Sequence, residues 1–339
     1  MWKAMIVDRD YGSVSPDAVD HLQRQYREKG IDLRAAHYKT PADIIGRCGE
    51  ADVLLGTGNP PLTKEVFEAL PKLRAVQRFG IGVNSVDLKA ASENGVLVLY
   101  MPGFCVEELA HHAAALILGL LRNVNYYDRS IRNGEWRKAG GYAPFNPRDM
   151  VLGLYGFGGS AKPLCSIFKS GFGTKVITYD PYIDKADVEK RGAEAVSFQE
   201  LLERSDIISL HAPLTQETQH VFNREVFRKM KREAMIINIS RGGLIHESDL
   251  IEALDQGEIR FAGLDVFEEE PLPQTSKLIA MENVILTCHS AFYGVGAQKN
   301  QLGLAVELVD GLLNHNRVPA RNIANPESVS KASVAIMTI

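Results

Sequence analysis

Cysteine is scarce in this 339-residue chain: Cys48, Cys105, Cys165 and Cys288 stand alone, with no CxxC pair among them. That scatter argues against a structural zinc site and fits a reducing compartment, so a cytoplasmic location is expected. Long hydrophobic runs are missing as well. The longest, Ala113 to Leu121, is bounded by His112 and Arg122 and falls short of the roughly 18 apolar residues that suggest a bilayer span. A buried helix is the better reading. The opening MWKAMIVDRDYG lacks the apolar region and small-residue cleavage site of a signal peptide. Nor is there an excess of positive charge: 38 basic against 42 acidic residues leave a net charge of −4. That balance carries no footprint for nucleic acid or an anionic membrane. No short-period repeat and no low-complexity segment interrupts the chain.

What is present is an ordinary globular composition, 45% hydrophobic and 24% charged, at a length that exceeds one comfortable core. Two domains are therefore expected. AMIVD, DVLLGT, RAVQRFG and VLVLYMP read as strands, and residues 16–29, 41–47 and 63–69 have helical spacing. Asp87 opens a further short helix that stops at Gly95. This is the βαβ rhythm of a parallel sheet. Pro102-Gly103 breaks it. Helices are expected from about Glu107 to Arg122 and through Tyr126 to Arg132, then a loop over 140–147, then a second βαβ series from Met150 to about Cys288. A last helix over about 296–314 precedes the irregular PARNIANPESV. That tail is expected to have no sheet of its own and to cross back onto the N-terminal domain.

Within the second series, VLGLYGFGGSA places Gly156-x-Gly158-x-x-Ala161 directly after an apolar run. Gly156 would permit the tight turn, Gly158 would let backbone approach a pyrophosphate, and the small Ala161 would allow close helix packing. The helix N-terminus would face the phosphates. Gly159 and Ser160 add flexibility and a hydroxyl, and Pro163 is tolerable only in the first helical turn. The next run, TKVITYD, ends at Asp180, 24 residues past Gly156. That is near the spacing of the carboxylate that bonds the ribose hydroxyls and repels a 2′-phosphate, so NAD is favoured over NADP.

Three polar residues then follow apolar runs: Arg241 after MIINIS, Glu270 after FAGLDVF and His289 after VILTC. Singly each is ordinary, a loop arginine, a solvated acidic turn and a loop histidine. Delivered together to one sheet edge they can work as a unit, because ligands of open α/β sheets bind beyond the strands' carboxyl ends. Arginine's fork suits a carboxylate. A carboxylate beside histidine favours the imidazolium, which can protonate a carbonyl oxygen or, reversed, accept a proton. The following Gly242-Gly243 is expected to let backbone crowd a ligand.

The segments RFGIGVNSVD, GFGGSA with ITYDPY, LHAPLTQET, NISRGGLI, GLDVFEEEPLP and LTCHSAFY resemble the D-isomer-specific 2-hydroxyacid dehydrogenase family over nearly the whole chain. The resemblance implies an α/β fold of two doubly wound parallel-sheet domains: a Rossmann cofactor domain over 104–290, and a flavodoxin-like substrate-binding domain over 1–103 and 291–339. The active site would lie in the cleft and a homodimer would form on the cofactor domain. It implies Arg241 as anchor of substrate carboxylate and carbonyl, His289 as acid/base and Glu270 as its partner. His211, Pro213, Thr218, Ile239 and Asp180 match cofactor contacts, with Asp265 at the nicotinamide carboxamide. Ile81 and Gly82 match the loop that holds the substrate carboxylate, and Phe292 a substrate-lining aromatic. Cys288 departs from the family's usual proline, and Val106 and His111 from its usual threonine and acidic residue.

The implied reaction interconverts a small 2-keto acid and its D-2-hydroxy acid with NAD; glyoxylate, hydroxypyruvate, pyruvate and 3-phosphohydroxypyruvate are candidates. Arg78 sits near the substrate loop and suits either a phosphorylated substrate or a purely supporting role. HSAFYG with YDPY leans toward the branch that includes the C-terminal-binding-protein corepressors, so an NADH-sensing binding protein is the alternative. Glu270 disfavours formate oxidation.

Overall fold

The computed structural model describes residues 1–8, 16–136, 144–332 and 334–337. Residues 140–143 of the expected 140–147 loop lie outside them. Among the described residues the chain divides into two compact units, Met1–Phe104 with Gly294–Ile339, and Cys105–Tyr293.

The first unit alternates strand and helix: β1 (Trp2–Ile6), α1 (Pro16–Glu28), β2 (Ile31–Ala35), α2 (Pro41–Arg47), β3 (Val53–Gly56), α3 (Lys64–Ala69), β4 (Ala75–Arg78), α4 (Leu88–Glu93) and β5 (Leu97–Leu99). Their sheet runs β2-β1-β3-β4-β5, all parallel. Side chains alternate between the faces of a strand, and here both faces are covered. Ala4, Ile6, Val53 and Leu55 pack with Leu22 and Tyr26 of α1. Val7 and Leu54 face the other way, onto Ile44, Val66, Phe67 and Ala90 of α2 to α4. Two-sided burial explains why VLLG reads as an unbroken apolar run. The edge strand β2 was not anticipated; only Ile31 and Leu33 of its five residues are buried. Thr40 and Asp43 form a capping box on α2, and Asp87 accepts from the Ala90 N–H at the start of α4.

The second unit continues with α5 (Val106–Leu121), α6 (Val124–Arg132), β6 (Val151–Tyr155), α7 (Ala161–Ser166), β7 (Lys175–Tyr179), α8 (Lys185–Lys190), β8 (Glu194–Ala195), α9 (Phe198–Arg204), β9 (Ile207–Leu210), α10 (Arg224–Phe227), β10 (Met235–Asn238), α11 (Glu247–Asp255), β11 (Phe261–Leu264) and β12 (Val284–Leu286). Its seven parallel strands run β12-β11-β10-β9-β6-β7-β8. The order reverses between β6 and β9, which defines a topological switch point at the strands' carboxyl edge. This sheet and the first give the doubly wound α/β class expected. No described helix is long and apolar enough to cross a membrane.

The chain returns to the first unit through α12 (Val295–His315), followed by β13 (Arg317–Pro319) and β14 (Ala335–Met337). Ala305, Val309 and Leu312 of α12 join the core around α1. The segment PARNIANPESV has no sheet of its own apart from Pro319, as expected, but the unanticipated strands on either side of it, β13 and β14, pair in parallel. Asn316, left-handed at φ 51°, turns the chain out of α12 into β13, and three residues per strand are too few for periodicity to register. The tail also finishes the open edge of β5. The Asn325 side chain accepts from the Val98 N–H and donates to the Val96 carbonyl, at 2.8 and 2.9 Å, covering what would be an exposed pairing edge.

Candidate active site

The carboxyl ends of β6, β7, β9, β10, β11 and β12 lead into the glycine loop, Asp180, His211, Arg241, Asp265 and His289 respectively. Parallel strands in register therefore place five candidate side chains and the glycine loop on one edge of one sheet.

Past β12 and β11, at one end of this edge, His289 Nδ1 lies 2.7 Å from Glu270 Oε2. An ionised carboxylate only accepts hydrogen bonds, so Nδ1 carries the hydrogen. Nε2 makes no hydrogen bond among the described residues, and the side chain is 44% exposed. The other carboxylate oxygen of Glu270 accepts from the Phe267 N–H at 3.0 Å. Burial alone would raise the Glu270 carboxyl, but the hydrogen bond and charge of His289, the Phe267 N–H and the Arg241 charge carry it below its ordinary value. Burial pulls the Arg241 guanidinium down from its usual value, and Glu270 opposes that pull. The three residues are thus electrostatically linked. Phe292 sets its ring edge-on to His289, centroids 6.4 Å apart. Cys105, near Arg241, is buried and its thiol is pushed up to about 12, so it stays protonated. Cys288 is exposed beside His289.

Gly242 makes a close approach within the protein itself. A Cβ there would come within 1.9 Å of the Phe267 carbonyl carbon and oxygen. The missing side chain lets the Arg241 turn lie flush on the Phe267–Glu268 peptide, at the head of the turn that carries Glu270. Gly243 faces the Leu214 side chain, whose nearest methyl would lie 3.0 Å from an added Cβ.

The glycine loop is built for close approach. Gly156 has φ 92°, and a Cβ on it would meet the His211–Ala212 backbone at 3.0 to 3.3 Å, so turn geometry and packing both require glycine. A Cβ on Gly158 would touch nothing within 4 Å; its Cα faces open space. Ala161 is fully buried and seats α7, whose Pro163 falls in the first turn. Asp180 pins the loop: its two oxygens accept from the Phe157 and Tyr182 N–H groups at 2.8 and 2.9 Å.

His211 bridges Ser160 Oγ at Nδ1 and Ser209 Oγ at Nε2, both 2.9 Å. Burial lowers its pKa to about 3, so the ring is neutral. Ser209 is fully buried with His211 as its hydrogen-bond partner, and its hydroxyl is satisfied by donating to Nε2. The ring hydrogen then sits on Nδ1 and goes to Ser160, leaving the Ser160 hydroxyl proton for another acceptor. An open glycine, a carboxylate past the second strand and an uncommitted hydroxyl fit a dinucleotide. Thr218 Oγ1 donates to the Pro213 carbonyl at 2.8 Å and closes that loop on itself. Ile239 is buried in the core, so only its backbone is at the edge.

In the first unit, Arg78 at the end of β4 is buried, 5% exposed. It donates to the carbonyls of Gly56, Thr57 and Gly82. Its charge opposes the burial that raises the Asp8 carboxyl. The fork is spent clamping the turns after β3 and β4, which favours the supporting role weighed for it. Ile81 lies exposed on the clamped turn.

The sequence reading missed His112 and Thr287, whose hydroxyl donates to Asp265 Oδ1 at 2.6 Å. It also missed the pair His220–Glu268, 2.5 Å apart, next to the Glu270 turn. A second histidine on a buried helix, His112 beside His111, was the available signal.

Residues 114–291 match the family model described as D-isomer specific 2-hydroxyacid dehydrogenase, NAD binding domain. The chain belongs to that family, a family of oxidoreductases, and its second unit contains the NAD binding domain. Among its relatives is a glyoxylate reductase of Korarchaeum cryptofilum, 40% identical over 289 residues, which are 80% of this chain and 85% of that one. D-3-phosphoglycerate dehydrogenase 2, chloroplastic, of Arabidopsis thaliana is 38% identical over 287 residues, 84% of this chain but 45% of that one. The chain spans about half the length of the latter relative. Among solved structures, a putative D-isomer specific 2-hydroxyacid dehydrogenase from Polaromonas sp. superposes with a TM-score of 0.83 at 28% identity, covering 95% of this chain and 99% of that one.

Proposed function

We propose that this chain is an NAD-dependent D-2-hydroxyacid dehydrogenase acting on a small, unphosphorylated 2-keto acid. The observation that carries the reading is the His289–Glu270 pair, with Nδ1 committed at 2.7 Å and Nε2 open. When bound, NADH would supply the hydride in reduction and NAD⁺ would accept it in oxidation. His289 Nε2 gives its proton to the carbonyl oxygen in reduction and takes it from the hydroxyl in oxidation, so one hydride and one proton account for the two-electron change. Glu270, held ionised, stabilises the imidazolium. Arg241 is half-buried on the same edge, where a guanidinium pairs strongly with a carboxylate. Ser160 and Asp180 orient the cofactor, with Asp180 selecting NAD.

The engagement of Arg78 with three carbonyls removes one candidate anchor for a phosphate and favours glyoxylate, hydroxypyruvate or pyruvate over 3-phosphohydroxypyruvate. A homodimer in the cytoplasm is part of the reading; exposed Val124 and Ile131 on α6, with Trp136 beyond it, offer an apolar face to a second copy. The decisive experiment is relative kcat/KM over a keto-acid panel with NADH. Reduction of at least one acid supports the proposal. Tight NADH binding with no acid reduced would favour the NADH-sensing binding protein instead.

A further inference from the structure

His289 occupies a backbone conformation that histidine seldom adopts, φ 51°. Left-handed backbone at a non-glycine residue is unfavourable and persists only where its surroundings over-determine it. The surroundings here converge on one buried group. Asp265, 1% exposed at the end of β11, accepts from Thr287 Oγ1 at 2.6 Å and the Ser290 N–H at 2.9 Å on one oxygen. Its other oxygen accepts from the Ala291 N–H at 2.9 Å. The Asp265 backbone carbonyl accepts from the His289 N–H at 2.7 Å. The segment 287–291 is therefore wrapped around a single aspartate, with His289 at its middle.

The wrapping extends to α5. His112 Nε2 is 2.9 Å from Thr287 Oγ1 and 3.5 Å from Asp265 Oδ1. Thr287 has one hydroxyl proton, and Asp265, which as a carboxylate can only accept, takes it. His112 must therefore donate to Thr287 through an Nε2–H. The direction of the chain is set: His112 to Thr287 to Asp265. Both Asp265 oxygens are occupied by the turn that carries His289, which limits what that carboxylate can offer elsewhere.

We propose that His112, Thr287 and Asp265 form a positioning relay that holds the left-handed backbone of His289 and thereby aims its Nε2. This rests on the reading of His289 as the proton-transfer group. His112 and Thr287 are positioning residues, acting through the turn.

The test uses the full chain with Thr287→Val and His112→Leu, which break the relay from opposite ends, and Thr287→Ser as the conservative rescue. With glyoxylate and NADH, kcat is expected to fall by about 10- to 100-fold in the first two, the scale of a misplaced catalytic group. KM for glyoxylate and the fluorescence-measured Kd for NADH should stay within about twofold, and Thr287→Ser should recover most of kcat. A second readout needs no turnover: the His289 Nδ1–H resonance in nitrogen-15-edited NMR, held by Glu270, is expected to broaden or vanish in Thr287→Val and return in Thr287→Ser. An unchanged kcat and an unchanged resonance in both Thr287→Val and His112→Leu would overturn the relay. So would an equal loss of NADH affinity, which would return these residues to cofactor binding. A wild-type chain that reduces no keto acid would sink the functional reading, while the resonance would still decide this one.

Discussion

An imidazole whose Nδ1 hydrogen is claimed by a carboxylate exchanges protons through its other nitrogen, and the roles proposed for the central residues follow from that division. Replacing His289 with Ala should lower kcat by about 10²- to 10⁴-fold, the range of a lost general acid–base. NADH affinity measured by fluorescence titration should change little; equal loss of both would refute the assignment. A second expectation concerns His211. Its folded pKa of about 3 lies below the ordinary 6.5, so between those values the unfolded chain binds the extra proton. Stability is fully present above pH 6.5 and declines as pH falls toward 3, by up to about 1.4 kcal/mol per unit. In His211→Asn the denaturant midpoint should depend less steeply on pH across that window; an equal slope would rule the residue out. The placement of Arg241, Glu270 and His289 at one sheet edge was legible in the sequence because each lies just past an apolar run. The His112–Thr287 contact was not, since it joins residues 175 positions apart, and only packing α5 against β12 brings them together.

At the scale of elements, the turns after the strands do the positioning, and glycine decides how closely they stack. Gly242→Ala would drive a Cβ into the Phe267 peptide. A loss of about 1–3 kcal/mol, the usual range for overpacking, is expected in guanidinium unfolding. An unchanged midpoint would mean that the two turns can part. Asp180, pinned at the end of β7 by two backbone N–H groups, should set cofactor choice: Asp180→Ala is expected to lower the NAD/NADP ratio of kcat/KM, and an unaltered ratio would remove its ribose role. Strands buried on both faces announced themselves as apolar runs. The half-buried β2 and the three-residue β13 and β14 did not, because their partners rather than their own pattern make them strands. For Gly242 the sequence suggested a close approach to a ligand, whereas the contact in the fold is to a peptide 25 residues on, which spacing alone does not show.

Across the whole molecule, the doubly wound class was readable from alternating runs, whereas the pairing of β13 with β14 depends on where α12 ends. NADH at about 100 times its Kd should raise unfolding free energy by about 2.7 kcal/mol. Slower hydrogen exchange should appear in the glycine loop and the ends of β6 and β7; protection absent from these segments would place the cofactor elsewhere.

The return of α12 to the first unit also orders events during synthesis. The core around β1 and β3 includes Ala305, Val309, Leu312 and Val318, and the indole of Trp2 donates to Asn314 at 3.0 Å. Translation delivers residues at about 5–20 per second, and domains ordinarily complete themselves from the N-terminus onward. Here the first hundred residues emerge without the helix that seals their sheet, while Cys105–Tyr293 is contiguous and can close first. Whatever the pace of synthesis, the core of β1 and β3 is completed only when the later-made α12 arrives.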